Sequence, residues 1–234
     1  MATSELHITR ENGRPAFQFD ESTHVYTVDG LAIPSVTQVL AQLGYSNYEA
    51  AERFNAEALE YKRQLGKLVH QACHYNDEND LETHDSRGCL VIPEVIFSRL
   101  QAYRKFRADT GYTPIINEGR GVGELYGMKY GMQFDSIGQC RQKPPYWLVD
   151  IKNASGSPQR SWAIQTAAYA MGQKALPKVA HSCFVRAIVQ LFDDGTYRLF
   201  TSQDPRSKIF TPQDFAIWQS CLAISIDQRN SHVK

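Results

Sequence analysis

Apolar and polar residues alternate with a period of two in several short stretches, which predicts β-strands. The first stretches, 17–19, 24–28 and 31–33, lie close together, and Asp29-Gly30 supplies a tight turn between the last two. We therefore expect residues 1–34 to form an N-terminal β-ribbon appendage. Further apolar runs predict the strands of a larger sheet: 115–116, 128–137, 146–152, 182–192 and 197–201.

Stretches with helical periodicity separate these strands. Their starts carry capping or first-turn residues, namely Pro34-Ser35, Ser46-x-x-Glu49, Pro93, Ser157-Pro158 and Thr211-Pro212-x-Asp214. The second helix is expected to run toward residue 65, where Gly66 interrupts the pattern. In the last helix an apolar stripe predicts a face packed against the core: Phe215, Trp218, Leu222 and Ile226. The order of elements predicts one α/β domain, residues 1–234, with a mixed central sheet and an αβββαβ core.

Composition narrows the class of protein. A chain of 234 residues, 42% of them hydrophobic, can bury roughly 70–75% of its unfolded surface without disulfides or a structural metal. The 25 basic and 25 acidic residues exclude a polybasic nucleic-acid coat but allow a local basic cleft. No apolar run approaches the roughly 18 residues of a membrane span, and residues 1–14 lack the apolar core of a signal peptide. With five scattered cysteines and no C-x-x-C pair, we expect an intracellular, cytoplasmic protein with reduced cysteines and no membrane partner.

Two acidic residues stand near the ends of predicted apolar strands, Asp135 in GMQFD and Asp150 in WLVDIK. Carboxylates in such positions are costly unless a cation compensates their desolvation. Because side chains alternate along a strand, Asp150 and Lys152 are expected to project to one side, whereas Ile151 points into the core. Oxygen ligands of this kind suit Mg²⁺ or Mn²⁺, and an adjacent ammonium group suits phosphodiester hydrolysis. Taken alone, Asp-x-Lys is more typical of a surface ion pair than of a metal site.

Several motifs in order make the chain similar to a known family. Gly66-x-x-x-His70 precedes the two acidic strands, and Gln165-x-x-x-Tyr169 follows them on a predicted helix. Together with Asp135 and Asp150-Ile151-Lys152, these motifs resemble the PD-(D/E)XK nuclease superfamily, and more closely its RecB-like exonuclease branch. The early segments His24-x-Tyr26-x-Val28-Asp29-Gly30 and Pro34-Ser35-Val36-Thr37 resemble phage and mitochondrial members of that branch. The resemblance touches roughly residues 24 to 170.

The resemblance implies a restriction-endonuclease-like fold and a metal-dependent deoxyribonuclease that acts from DNA ends and uses one or two Mg²⁺ or Mn²⁺ ions. It implies metal ligation by His70, Asp135, Asp150, the Ile151 carbonyl and an upstream acidic residue, Glu118 or Glu124. Lys152 would be the catalytic lysine, and Gln165 and Tyr169 would orient it or contact the DNA backbone. Basic and aromatic residues near the cleft, Lys67, Arg160 and Trp162, are candidates for DNA contacts. A recombination or single-strand-binding protein is a candidate partner. Because the cysteines offer no set of four, we expect no iron–sulfur cluster.

Some alternatives stay open at this stage. His70, Cys73 and His74 are spaced to hold zinc on one helical face. The basic residues of the helix after Pro93, namely Arg99, Arg104, Lys105 and Arg107, suit either a solvated face or phosphate contacts. Gly119-x-Gly121-x-Gly123 is interpreted as a flexible turn. The protein could also be a structure- or sequence-specific endonuclease, or a nuclease fold retained as a non-catalytic DNA- or protein-binding module.

Overall fold

The computed structural model describes residues 7–11, 14–21, 23–45, 56–154 and 156–231. The predicted N-terminal ribbon is present as an antiparallel sheet of four strands in sequential order. These strands are β1 (His7–Glu11), β2 (Arg14–Asp20), β3 (Val25–Val28) and β4 (Leu31–Ile33), of which β1 was not predicted. Phe17, Phe19, Tyr26 and Val28 bury one face of this ribbon.

The larger sheet has five strands in the order β5-β6-β7-β8-β9. They are β5 (Tyr112–Leu125), β6 (Met128–Cys140), β7 (Lys143–Lys152), β8 (Val185–Leu191) and β9 (Tyr197–Thr201). Only the β7–β8 pair is parallel among the pairs of this sheet, and a helix connects these two strands. The predicted α/β class and its mixed sheet in αβββαβ order are therefore confirmed.

The described helices are α1 (Val36–Gln42), α2 (Ala56–Glu78), α3 (Glu94–Thr110), α4 (Arg160–Gly172) and α5 (Asp214–Ser231). Ser35, the predicted start of α1, forms a capping box with Gln38, and α3 ends at Gly111, whose left-handed φ of 66° suits glycine. The predicted cap at Ser46-x-x-Glu49 lies outside the described residues. None of the described helices combines the length and apolarity needed to cross a membrane.

Helices cover both faces of the central sheet. Residues of α2 and α3 pack with Val149 and Ile151 of β7 in one core cluster, whereas α1, α4 and α5 pack with Leu148 in another. The predicted stripe of α5 is confirmed, because Trp218 and Leu222 are fully buried in this second cluster. Successive β7 side chains thus enter opposite layers, as a strand buried on both faces requires.

Two expectations about glycine were wrong. Helix α2 continues through Gly66 without a break, because the tertiary packing of its apolar face outweighs the low helix propensity of one glycine. The glycines at 119, 121 and 123 lie inside β5 rather than in a turn. The rings of Phe134 and Tyr130 occupy the space where β-carbons at Gly119 and Gly123 would stand, at 1.9 and 2.3 Å.

The ribbon is anchored on β6 through another glycine. A β-carbon at Gly131 would lie 2.2 Å from the Tyr26 ring, and the Gly131 N–H donates to the Pro34 carbonyl at 2.8 Å. The absence of a side chain at Gly131 therefore lets the ribbon lie directly on the sheet.

Candidate active site

Three carboxylates occupy neighbouring positions on β5, β6 and β7. Asn117 pairs with Ser136, and Ser136 pairs with Val149. In this antiparallel register, Glu118 lies beside Asp135, one residue along from the first pair. Asp135 lies beside Asp150, one residue along from the second. Asp135 lies inside β6 rather than at its end, so the expected position at a strand tip was wrong. Its position is instead the point where the β6–β7 ladder stops.

The backbone is irregular at this row. Glu118 has a φ of 50°, a left-handed value that is unusual for a non-glycine residue within a strand. Next to it, the Asp135 Oδ2 atom accepts a hydrogen bond from the Ile151 N–H at 2.6 Å. A side-chain carboxylate therefore takes the place of a ladder hydrogen bond between β6 and β7.

Helix α2 brings His70 to two of these carboxylates. Its Nδ1 donates to the Asp135 Oδ1 at 3.0 Å, and Gln133 donates to Glu118 at 2.6 Å. Candidate ligand atoms of His70, Glu118 and Asp135 all lie within 4.8 Å of one another. We call these three residues the His70 cluster.

The charges of the cluster are strongly coupled. Burial alone would lower the pKa of His70, but the Asp135 carboxylate outweighs it and raises the pKa of His70 to about 9. Burial would raise the pKa of Asp135, yet the His70 charge and hydrogen bond hold this pKa below its usual range. Burial, followed by the charge of Asp135, raises the pKa of Glu118. His70 and Asp135 thus form an ion pair. Glu118 lies beside this pair, and the positive charge of His70 does not fully offset the effects of burial and of Asp135 on its pKa.

A second group of residues lies between β7 and α4. The Lys152 Nζ is 2.8 Å from the Asp150 Oδ2 and donates to the Gln165 Oε1 at 3.0 Å. Gln165 in turn donates to the Tyr169 hydroxyl at 2.6 Å, as the four-residue spacing on a helix allows. The expectation that Asp150 and Lys152 project to one side while Ile151 enters the core is confirmed. Burial raises the pKa of Asp150 to about 6, and the nearby Asp135 adds to the effect of burial.

The donor set suits a divalent metal ion. Three buried or half-buried carboxylates, Glu118, Asp135 and Asp150, face the positive charges of Lys152 and protonated His70. If His70 were neutral, a divalent ion together with Lys152 would balance the three negative charges. Carboxylate oxygens with one imidazole are acceptable ligands for Mg²⁺ or Mn²⁺. Burial and the charge of Asp135 raise the pKa values of Glu118 and Asp150, and a bound cation would oppose both effects.

Other predicted ligands are placed differently. Asp150 lies outside the three converging residues of the His70 cluster and contacts Lys152. Of the two upstream acidic candidates, Glu118 joins the cluster and Glu124 is exposed outside it. The role of the Ile151 carbonyl stays a prediction. The zinc alternative is not supported, because among the described residues Cys73 and His74 do not converge with His70.

Trp162 and Arg160, two of the candidates for DNA contacts, are not supported in that role. Trp162 is only 7% exposed, so its ring has no free face for a base. The guanidinium of Arg160 pairs with Asp214 and donates to the Ile209 carbonyl, which are internal partners. Lys67 is exposed on α2, so a DNA contact there stays a prediction.

The basic residues of α3 are neither a simple solvated face nor a free phosphate-binding surface. Arg104 donates to Asn76, and Arg107 pairs with Asp77, so both connect α3 to α2. Lys105 pairs with Asp109 on the surface, and Arg99 donates to Asn153 just after β7.

Sequence reasoning missed the residues that support Glu118. Gln133 contacts Glu118 and accepts from Arg120, whose guanidinium stacks 4.2 Å over the Phe19 ring of the ribbon. Gln133 precedes Asp135 by two residues, and Arg120 follows Glu118 by two. The strand period could therefore have suggested both, but only with the β5–β6 register known.

Two of three comparisons with known proteins find no match. No protein-family model matches the chain, and no curated protein matches it. Among solved structures, the chain is similar to a crystal structure described as a proposed exonuclease from Eubacterium rectale, with 14% sequence identity and a TM-score of 0.43. The match covers 70% of this chain and 65% of that one, so the chain spans less than two thirds of that protein's length.

Proposed function

We propose that the protein is a metal-dependent deoxyribonuclease that hydrolyses DNA phosphodiester bonds. The observation that carries this proposal is the convergence of the half-buried His70, Glu118 and Asp135, next to the ion pair of Asp150 and Lys152. Carboxylates, one imidazole and one ammonium group are the side chains that metal-assisted phosphodiester hydrolysis needs. The motifs shared with RecB-like nucleases agree with this assignment.

His70, Glu118 and Asp135 would hold Mg²⁺ or Mn²⁺, with Asp150 as a further ligand. When bound, such an ion polarises a phosphoryl oxygen and acidifies water. The chain's own contribution centres on Lys152. Held between Asp150 and Gln165, its Nζ presents a fixed positive charge that orients water or stabilises charge developing on the phosphate. Tyr169 is buried and contacts Gln165, so we assign it to orienting this lysine rather than to DNA.

The test compares wild type with Asp135→Asn and Lys152→Ala on DNA in Mg²⁺ or Mn²⁺. We expect either substitution to reduce cleavage at least about a hundredfold, because each removes a group that acts in the transition state. Lys105→Ala, which removes a surface ion pair, is the matched control and should cleave like wild type. Equal residual cleavage by all four proteins would assign the activity to a contaminant and remove the proposal.

The mode of cleavage rests on the RecB-like resemblance, so we propose an exonuclease. Linear DNA should be degraded while closed circles of the same sequence survive. Cleavage of circles at an equal rate would favour a structure- or sequence-specific endonuclease. DNA binding without metal and without cleavage, unchanged by Asp135→Asn, would favour a non-catalytic binding module.

A further inference from the structure

Helix α2 contains a glycine that the rest of the described chain does not explain. Gly66 lies in the middle of a helix of 23 residues, where glycine costs about 0.5–1 kcal/mol relative to alanine. It is absent from the glycines with a left-handed φ, so the backbone does not require it. Apart from its chain neighbours and the surrounding backbone of α2 itself, no described atom lies within 4 Å of the position that its β-carbon would take. At Gly131, by contrast, the Tyr26 ring lies 2.2 Å from the position that a β-carbon would take.

The open space at Gly66 lies on the same side of α2 as His70. The two residues are four apart, so they lie on one side of α2 and one turn apart, about 5.4 Å along the axis. Side chains on a helix lean toward its N-terminus, so His70 projects toward the turn that carries Gly66. Gly66 is itself half-buried, and the space beside it is open. We call this space the Gly66 groove.

Charge around the groove suits a polyanion. Arg63 and Lys67 lie within about one turn of Gly66 on α2 and both are exposed; Arg63 also lies 3.8 Å from the exposed Glu60 carboxylate, whose charge it shares. The groove thus has a bare helix backbone as its floor, positive side chains beside it, and the His70 cluster at one end.

We propose that the sugar–phosphate backbone of the DNA strand being cut lies in the Gly66 groove, in van der Waals contact with the helix. This inference rests on the proposed nuclease function and adds the path of the substrate. One helical turn corresponds to one or two nucleotides at a rise of about 3.4 Å per nucleotide. The contacted sugar and phosphate are therefore one or two nucleotides from the phosphate that reacts at the cluster.

The experiment uses Gly66→Ala and Gly66→Gln in the full chain. Three quantities are measured: kcat/KM for an end-labelled single-stranded oligonucleotide in Mg²⁺, its Kd in Ca²⁺, and Tm. Both substitutions improve helix propensity, so Tm should rise by about 2–4 °C. The same substitutions fill the groove. Gly66→Gln should therefore raise Kd and lower kcat/KM by about tenfold or more, and Gly66→Ala should do so by less.

Tyr61→Ala is the matched control. Tyr61 is exposed on the opposite side of α2, five residues before Gly66, and alanine also improves helix propensity there. This variant should keep the wild-type Kd and kcat/KM. A further variant, Lys67→Ala, should reduce the slope of log Kd against log salt by about one if this lysine contacts a phosphate.

Each outcome supports or overturns the groove inference or the nuclease proposal. If Gly66→Gln binds and cuts DNA like wild type, the groove is not the substrate path. If both Gly66 variants lower Tm, the glycine serves the chain's own packing, which also overturns the inference. If wild type does not cut DNA but Gly66→Gln raises its Kd, the nuclease proposal fails and the groove stands. Wild type that neither cuts nor binds DNA overturns both.

Discussion

Asp150→Asn should stabilise the metal-free protein while it abolishes cleavage. The carboxyl of Asp150 is 2% exposed, and burial raises its pKa to about 6 from an ordinary value of 3.8. A folded-state pKa above the unfolded value means that ionisation of Asp150 destabilises the fold. At 1.36 kcal/mol per pH unit, the penalty above pH 7 is on the order of 3 kcal/mol, despite the attraction of Lys152. Asparagine has the shape of the protonated acid and avoids this penalty.

The pH dependence gives the sharper readout. Between the two pKa values the folded state binds more protons than the unfolded state, so wild-type stability falls as pH rises from about 4 to about 6. Asp150→Asn lacks this loss. The difference in unfolding free energy between variant and wild type should therefore be small near pH 4, grow across this window and level off above pH 7. Urea unfolding in EDTA at several pH values measures it.

A matched control and a metal titration complete the test. Asp80 is an exposed aspartate at the end of the α2 region, and Asp80→Asn should leave stability unchanged at every pH. Adding Mn²⁺ should raise the Tm of wild type more than that of Asp150→Asn, because only wild type carries the Asp150 charge that the ion would compensate. If Asp150→Asn is equally or less stable than wild type in EDTA at pH 8, Lys152 already compensates Asp150. The argument for a missing cation then fails.

Three further substitutions test the supporting structure. Gln165→Leu removes the acceptor that holds the lysine Nζ, so kcat should fall about tenfold with Tm nearly unchanged; an unaltered kcat would contradict the orienting role. Gly131→Ala should cost about 1–3 kcal/mol in urea unfolding because its β-carbon meets the ribbon. Gly121→Ala, whose β-carbon would meet only the Met132 side chain at 3.9 Å, should cost less, and equal costs would refute this docking contact. Asp214→Asn leaves the buried Arg186 and the partly exposed Arg160 short of a counter-charge and should cost about 3–5 kcal/mol, against no change for exposed Asp227→Asn on the same helix.

Much of the fold follows from local pattern. The alternation in β7 predicted a strand, and it also predicted which side chains enter the core, because a period of two leaves no other arrangement. The stripe of α5 predicted the buried face of the last helix in the same way. The pairing of Lys152 with Gln165, however, depends on how α4 packs on the sheet, and only the order of motifs suggested it.

The missed features depend on contacts between distant segments. The glycines of β5 looked like a flexible turn because the sequence does not show that Phe134 and Tyr130 lie over them from the neighbouring strand. Arg160 and Trp162 are of the types that contact DNA, but the packing of α4 buries Trp162 and gives Arg160 partners within the protein. Residue type can suggest a chemistry, whereas exposure decides whether that chemistry is available.

Asp135 takes part both in the fold and in the candidate site, so a substitution that tests its function must leave the fold intact. Its Oδ2 accepts the Ile151 N–H and its Oδ1 accepts from His70, so both oxygens are already used by the protein. Removing the side chain would leave a buried N–H unsatisfied, at a cost of about 1–3 kcal/mol, and loss of activity in Asp135→Ala would then mix unfolding with chemistry. Asparagine retains an oxygen acceptor and removes the charge. A folded but inactive Asp135→Asn would therefore show that the negative charge at this position, rather than the hydrogen bond, is what cleavage requires.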